Sequence, residues 1–232
     1  MSKLGLRSVD VSPKSELLRG LKKPEIDLIL AAARLRRYPA SSVMTRQGDK
    51  ADQLFLLWRG RARYFFETAD GKRLILLWIP PGHIFGAATM ASFWSRYLVS
   101  TEAVRDSIVL VWDRPTIRSL TRRFPQLLMN AYLTSIEYLS WYISTHVALT
   151  SQTARETIAH VLLGYAPIIG RQVAGGIEFD ATNEELADAA SVDLYTTSRV
   201  IREWHRNGAI RKLRGKIILR SGEELFRAIS KH

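Results

Sequence analysis

The sequence contains no cysteine among its 232 residues. This absence excludes disulfide bonds, thiolate zinc sites, cysteine nucleophiles and cysteine-ligated iron–sulfur clusters. Long apolar runs are also missing, because no stretch approaches the ~20 residues that a membrane-spanning helix needs. The N-terminus, MSKLGLRSVD, has no continuous apolar segment of the kind found in a secretory signal. We therefore expect a soluble, cytoplasmic protein without a membrane partner.

Signatures of common enzyme sites are equally scarce. No glycine-rich phosphate loop or nucleophile elbow occurs, and Gly175–Gly176 precedes a strand pattern instead of opening a helix. Metal chemistry on a β-barrel needs about three inward His or carboxylate ligands on neighbouring strands. The strand-rich region described below holds a single histidine, His83, and its acidic residues are scattered. The sequence thus predicts no enzyme and no metal site.

Positive charge is present in excess. The chain carries 34 Lys and Arg against 22 Asp and Glu, a formal net charge of +12, which suits a polyanionic partner or a highly soluble surface. Residues 199–220 hold eight basic residues against Glu203 alone, a net of +7. The larger excess, in residues 1–151, shows no comparable stripe and suggests no function.

The first half of the chain changes from a helical to a strand pattern. Residues 16–38 have helical spacing, with Pro24 suited to a first turn. From there to about residue 113, short apolar runs alternate with turns such as Asp70–Gly71, a strong hairpin signal. Many short strands of this kind predict a jelly-roll barrel, the effector-sensing domain, over residues 1–122. The fold class is α+β.

A long helix is predicted over about 125–153, with a dimerisation segment assigned to 123–153. Its positions follow alternating steps of four and three, typical of an imperfect heptad. The helix could pack on its own barrel, but a symmetric homodimer is favoured because the barrel already has a core. A polar His146 would then face its symmetry mate and fix the register. The seam residues are Leu128, Tyr132, Ser135, Leu139, Tyr142, His146 and Leu149.

The third region, 154–232, carries the clearest local signal. A helix over 154–167 and a glycine-rich turn with a short strand over 170–180 precede it. Thr182 or Asn183 can cap a helix that ends at Ala190, and Asp193 can cap a second one after a three-residue turn. The second helix should bury Thr197, Val200, Ile201 and Trp204 and stop at Asn207–Gly208. Two strands about Arg214–Gly215 complete a winged helix-turn-helix.

Such a motif places the start of its second helix in the major groove of DNA. Arg199 is the best candidate for a bidentate contact with guanine. Phosphate contacts are expected from Thr196, Arg202, Arg214 and Lys216. The reading residues are Leu194, Tyr195, Thr196, Ser198, Arg199 and Arg202, with Arg214 and Lys216 in the wing. The alternative interpretation is an exposed basic helix on a protein-binding domain.

The order of barrel, long helix and winged helix-turn-helix resembles the cyclic AMP receptor protein and fumarate–nitrate regulator (Crp/Fnr) superfamily of bacterial transcription regulators. The resemblance spans nearly the whole chain, through "GDKADQLFLLWRGRARYFF" (48–66), "PGHIFGAATM" and "TNEELADAASVDLYTTSRVIREWHRNGAI". It implies a homodimer on a roughly palindromic double-stranded DNA site, an effector bound in the barrel, and RNA polymerase as a partner.

The pocket departs from the cyclic-AMP branch of that family. Members of that branch carry Gly-Glu-Leu in the pocket turn and Arg-Ser on the facing strand. Here the turn reads Gly86-Ala87-Ala88, and the facing pair is Tyr97-Leu98. The positions that resemble the adenine-contacting pair are Tyr142 and Ile143. Because a buried cyclic phosphate needs a cation or donor, we expect no cyclic AMP in the family's usual mode.

Other effectors stay open at this point. The cluster-binding branch needs cysteines, so no iron–sulfur cluster is expected. His83 or His146 could be an axial haem ligand, although a lone histidine near a Pro–Gly turn is more often structural. The remaining alternatives are an unknown apolar effector, or a pocket already filled by Tyr97, Leu98, Tyr142 and Ile143.

The DNA helix also departs from the best-known members. Their Arg-Glu-x-x-x-Arg pattern corresponds here to Leu194, Tyr195 and Arg199, so only the last Arg is kept. This predicts a different half-site, in which Leu194 or Tyr195 contacts a thymine methyl. A signalling module that does not bind DNA is the remaining rival, and the basic stretch 199–220 argues against it.

Overall fold

The computed structural model describes residues 15–71, 73–91, 95–220, 222, 223 and 225. The N-terminal segment in which we expect no targeting sequence lies outside the described residues. The chain forms two compact units: Met1–Arg73 with Leu77–Leu139, and Leu74–Leu76 with Ser140–His232.

Eight strands build two four-stranded sheets, whose described pairs are antiparallel. The orders are β1-β8-β3-β6 and β2-β7-β4-β5, which confirms the jelly roll expected from the sequence. The strands are β1 (Arg34–Tyr38), β2 (Val43–Thr45), β3 (Gln53–Arg59), β4 (Ala62–Glu67), β5 (Arg73–Ile79), β6 (Ile84–Phe85), β7 (Ser100–Ala103) and β8 (Ser107–Asp113).

Strand β3 shows how the barrel is filled on both sides. Successive side chains of a strand point to opposite faces. Phe55 and Leu57 belong to a core made with β4, β5, β6 and β8, which lies between the two sheets. Leu54 and Leu56 belong to a second core with the flanking helices. Because both faces are covered, the strand is a nearly continuous apolar run instead of an alternating one.

Two helices and the start of a third form that flanking layer. They are α1 (Lys23–Ala31), α2 (Arg114–Arg123) and α3 (Gln126–Ser151). Asp113 caps α2 by accepting a hydrogen bond from the Thr116 N–H at 3.0 Å. The indole of the fully buried Trp112 donates to the Ile29 carbonyl at 2.9 Å, which fastens α1 to β8.

The helix expected over residues 16–38 is wrong in its second half. A 3-10 turn (Glu16–Leu18) and α1 occupy the first part, with Pro24 in the first turn as expected. Residues Arg34–Tyr38 form β1, which pairs with residues 107–111 of β8. That partner is about 70 residues away in the chain, and non-local pairing overrides local helical spacing.

In the second unit, the described residues that follow the end of α3 include three helices and a four-stranded sheet of order β11-β12-β10-β9. The helices pack α4 on α5, α5 on α6 and α4 on α6. These elements are α4 (Ala154–Ile169), β9 (Arg171–Val173), β10 (Gly176–Asp180), α5 (Asn183–Ala190), α6 (Leu194–Arg206), β11 (Ile210–Leu213) and β12 (Lys216–Leu219).

Two expectations for this unit need correction. Helix α4 does not end at Gly164 and Pro167 but continues to Ile169, where Gly170 terminates it. The segment 170–180 is a hairpin of β9 and β10, not a turn with one strand. Gly and Pro mark helix ends only as a tendency, and tertiary packing can extend a helix past them.

Candidate DNA interface and effector pocket

Helices α5 and α6 are both fixed by side-chain caps. Thr182 and Glu185 exchange hydrogen bonds across the first turn of α5, at 2.8 and 3.1 Å, which is a capping box. The turn passes through Ser191 in the left-handed region, with φ 49°. Asp193 then accepts the Thr196 N–H at 2.8 Å, and this bond is the main reason that the pKa of the Asp193 carboxyl is lowered. The helix-turn-helix expected from the sequence is thereby present.

The inner stripe of α6 is buried as expected. Thr197, Val200, Ile201 and Trp204 are at most 4% exposed. The guanidinium of Arg155, in the first turn of α4, lies over the Trp204 ring at 5.3 Å from its centroid. This anchoring fixes which side of α6 points to solvent.

The outer side of α6 presents apolar, aromatic and basic groups together. Leu194 is 45% and Tyr195 79% exposed, and Arg199 and Arg202 are exposed as well. Within the part of the chain that the structure describes, neither the Arg199 guanidinium nor the Tyr195 hydroxyl has a hydrogen-bond or ion-pair partner. Such a surface can meet base edges and phosphates without first breaking internal contacts.

Two of the predicted reading residues are less free. Ser198 is half-buried and its hydroxyl accepts a hydrogen bond from the Asn183 amide at 3.0 Å. It therefore lies at the edge of the contact with α5 and not on the outer face where the sequence placed it. Thr196 is half-buried near Arg155, and its backbone N–H donates to the capping Asp193.

The wing is present, and its cations are in two different states. Gly215 has φ 68° at the tip between β11 and β12, a conformation that favours glycine. Arg214, beside it, is exposed. Lys216 instead bonds Glu178 at 3.1 Å and approaches Asp180 at 4.0 Å. Hydrogen bonds from Arg171 and then Lys216 lower the pKa of the Glu178 carboxyl.

One further cation of the basic stretch is tied inward. The Lys212 ammonium donates to the Ala181 carbonyl at 3.2 Å, and burial lowers its pKa. The local charge of 199–220 is therefore less available to a polyanion than its count of basic residues suggests.

In the barrel, Tyr97 occupies the space beside the pocket turn. Its hydroxyl donates to the Gln53 carbonyl at 2.9 Å and accepts the Gln53 N–H at 3.0 Å. Gly86 has φ 78°, and a Cβ there would lie 2.7 Å from the Gln53 oxygen and 3.1 Å from the Tyr97 ring. Burial raises the pKa of Tyr97. The ring thus packs closely over the turn that carries Ala87 and Ala88, both half-buried.

Two tyrosines that the sequence analysis did not single out complete this packing. Tyr64 and Tyr138 meet edge to face, with ring centroids 5.7 Å apart. The Tyr138 hydroxyl donates to the Ile84 carbonyl at 2.8 Å, and Tyr64 hydrogen-bonds the backbone of Gly86. Burial raises the pKa of both phenols. Tyr64 follows an ordinary strand alternation, and Tyr138 lies one residue from the predicted seam, so no sequence signal marked them.

The other predicted pocket residues differ in their exposure. Leu98 is 82% exposed, so the idea that it fills the pocket is wrong. Tyr142 and Ile143 are 43% and 53% exposed. His83 is half-buried, 4.0 Å from Glu137, and burial is the main cause that lowers its pKa.

A cavity of about 460 Å³ adjoins Tyr97 and was not foreseen. Met44 and Phe55 contribute its apolar wall. Its charged side chains are balanced, three basic and three acidic: Arg46, Lys50, Arg114, Asp49, Asp52 and Asp113.

The long helix has one buried and one exposed face. Leu127, Ala131 and Thr134 are buried, whereas the predicted seam residues are exposed: Leu128, Tyr132, Ser135, Leu139, Tyr142, His146 and Leu149. His146 stacks on Tyr142, with ring centroids 6.1 Å apart. Met129, Leu133, Ile136 and Val147 widen the exposed apolar surface. So many large apolar side chains in the open mark an interaction surface.

Within the described residues no helix is long and apolar enough to cross a membrane. The same part of the chain contains no group of three or more His, Asp or Glu residues that could hold a metal ion.

Barrel, long helix and winged helix-turn-helix together define a class of DNA-binding transcription regulators. Two family models match the chain: a cyclic nucleotide-binding domain over residues 35–124 and a Crp-like helix-turn-helix domain over 153–228. The cyclic AMP receptor protein of Thermus thermophilus is 29% identical over 206 residues, covering 89% of this chain and 93% of the relative. The anaerobic regulatory protein of Bacillus subtilis is 25% identical over 210 residues, with 86% and 85% covered.

The fold agrees with these matches. The structure of FixK2 from Bradyrhizobium japonicum superposes with a TM-score of 0.73 at 21% identity, over 84% of this chain and 96% of that one. The chain belongs to the Crp/Fnr superfamily of transcription regulators. Several relatives that match over most of its length are named as regulators, which supports a regulatory and not an enzymatic role at family level.

Proposed function

We propose that the protein is a homodimeric, sequence-specific transcription regulator that reads a roughly palindromic DNA site through residues 194–207. The observation that carries this proposal is the exposure of Leu194, Tyr195 and Arg199 on the outer side of α6. The buried Trp204 holds the opposite side of the same helix in the core. We assign residues 1–122 to the sensing barrel, 123–153 to dimerisation and 154–232 to DNA binding. We also propose that the protein is cytoplasmic and has RNA polymerase as a partner.

Individual roles follow from the chemistry of each side chain. Arg199 would form a bidentate contact with guanine, the commonest specific contact in the major groove. Leu194 and Tyr195 would meet thymine methyl groups. Thr196, Arg202, Arg214 and Lys216 would contact phosphates, and Ser198 would act from the edge of α5.

Selection from a random DNA pool tests the proposal directly. The full-length protein should enrich one sequence family with two-fold symmetry. Arg199→Ala should weaken binding to the selected duplex about 10- to 100-fold and relax the preference at one base pair of each half-site. Unchanged affinity and unchanged base preference in Arg199→Ala would contradict the assignment of Arg199. If the protein enriches no sequence at all, sequence-specific DNA binding is wrong.

Dimerisation is supported by the exposed apolar face of α3. Leu139→Glu would place a carboxylate in the apolar seam, where an unpaired charge is costly to bury. We expect the dimer to dissociate at micromolar concentration, measured by analytical ultracentrifugation. Ser140→Glu is the matched control, because it adds the same charge one residue further, off the seam, and should leave the dimer intact. A monomeric wild type would refute this part of the proposal.

The barrel is proposed to respond to an effector other than cyclic AMP bound in the family's usual mode. This is supported by Tyr97, which packs against Gly86 at the position where the cyclic-AMP branch has a phosphate-binding Arg. Isothermal titration calorimetry of the full-length protein with cyclic AMP should show no tight binding. A submicromolar dissociation constant would refute this statement and leave the DNA assignment untouched.

A further inference from the structure

A bidentate ion pair joins the start of α4 to the second half of α6. The Arg155 guanidinium donates from both terminal nitrogens to Glu203, with Nη1 to Oε2 at 2.8 Å and Nη2 to Oε1 at 2.9 Å. The side chains are 16% and 32% exposed. A fork-to-fork pair in this partly shielded setting is geometrically specific and stronger than an ordinary surface ion pair.

Glu203 occupies a sensitive position. It is the single acidic residue of the basic stretch 199–220 and follows Arg199 by four residues, which places the two side chains as neighbours on one side of α6. Arg155, Arg199 and Glu203 border one depression of about 450 Å³. An unpaired carboxylate there would attract the Arg199 guanidinium and repel DNA phosphates.

We propose that Arg155 is a positioning residue for DNA reading, because it holds both oxygens of Glu203 and so leaves Arg199 available to a base. The inference rests on the proposed function, which assigns Arg199 to base contact. It explains why an acidic residue next to the reading arginine leaves that arginine unpaired: Arg199 has no hydrogen bond or ion pair with any residue that the structure describes. Arg155 acts through Glu203 and not by touching DNA.

The test is a double-mutant cycle in the full-length protein. The probe is the duplex that the wild type selects from a random pool, with a scrambled duplex beside it. Arg155→Met removes the charge and keeps most of the stem, which takes the bidentate partner away from the Glu203 carboxylate. We expect roughly two- to fivefold weaker binding to the selected duplex, since each of two half-sites gains a competing i,i+4 pair. The preference should relax at the base pair that Arg199→Ala also relaxes.

Rescue is the decisive readout. Glu203→Gln alone should bind within about twofold of the wild type, and the double variant Arg155→Met/Glu203→Gln should recover to about the same level. A double variant as weak as Arg155→Met overturns the inference, because Arg155 would then act by touching DNA or by packing alone. If Glu203→Gln itself weakens binding more than fivefold, the carboxylate is needed for its own contacts and the inference also fails.

Folding and the prior proposal are controlled separately. Urea unfolding of each variant shows whether the DNA-binding unit is intact. If Arg155→Met does not fold, Arg155→Lys replaces it, which keeps the charge but loses the fork, and Glu203→Gln should again restore binding. If Arg199→Ala shifts the base preference while rescue fails, only the role of Arg155 is wrong. If the wild type selects no sequence, both statements fall together.

Discussion

The barrel and helix α6 differ in where their polar side chains find hydrogen-bond partners. Around the pocket turn, the hydroxyls of Tyr64, Tyr97 and Tyr138 all bond to backbone groups of the barrel itself. On the outer side of α6, Tyr195 and Arg199 are exposed and, among the described residues, unpaired. A group that already has an internal partner must lose it before it binds a ligand, whereas a solvated group exchanges water at little cost. The exposed groups on the outer side of α6 can therefore bind a partner without first losing an internal hydrogen bond, whereas the barrel tyrosines cannot.

The largest expected effect is a loss of stability in one of the two regions only. Trp204→Ala would remove a fully buried indole and should destabilise the DNA-binding unit by about 3–5 kcal/mol through lost burial and a residual cavity. The barrel has its own cores and should persist. Urea unfolding of Trp204→Ala should therefore show an early transition, accompanied by loss of DNA binding, and a later transition near that of the wild type.

Leu194→Ala serves as the matched control for that experiment. It truncates a side chain of the same helix that is 45% exposed, and its stability should stay within about 0.5 kcal/mol of the wild type. If Trp204→Ala instead unfolds the whole chain in one transition, the contrast between two separately stabilised regions is wrong.

An intermediate effect sharpens the contrast within the wing. Arg214 is exposed and has no partner among the described residues, whereas Lys216 is held by Glu178. A free cation can neutralise a phosphate, but a paired one must first leave its carboxylate. Arg214→Ala should weaken all duplexes alike. It should reduce the slope of log affinity against log salt by about two, since each half-site loses one phosphate contact. Lys216→Ala should reduce the slope less. Equal slopes for both variants would show that the Glu178 pair does not matter.

The sequence could predict the helix-turn-helix better than the barrel pocket. The helix-turn-helix is specified locally: Thr182 and Asp193 cap the helices, and Val200, Ile201 and Trp204 form the inner stripe within four residues of one another. Each of these signals acts over a few residues, so all of them were readable.

The barrel pocket depends on contacts that are distant in the chain. Tyr97 bonds Gln53, 44 residues away, and Tyr138 bonds Ile84, 54 residues away. Residues 34–38 likewise became a strand only through pairing with β8. Single-sequence periodicity carries no information about such partners, so it could neither place Leu98 nor indicate Tyr64. The family resemblance, and not the periodicity, points to Tyr97.

The smallest expected effect applies one substitution to both regions. Tyr97→Phe removes a hydroxyl that bonds both backbone groups of Gln53 and should cost about 1 kcal/mol of unfolding free energy near pH 8. Tyr195→Phe removes a hydroxyl from a side chain that is 79% exposed and should cost nothing measurable.

Alkaline pH extends this comparison. Burial raises the pKa of the Tyr97 phenol above its ordinary value of 10.0, so the folded barrel favours the neutral phenol. Its stabilising contribution is complete below pH 10 and is lost as the pH rises through the raised pKa. Urea unfolding between pH 8 and pH 11 should therefore show a stability that falls less steeply in Tyr97→Phe than in the wild type or in Tyr195→Phe. Identical pH profiles for the two Tyr→Phe variants would mean that the barrel phenol is as solvated as the one on α6, and the contrast between the regions would fail.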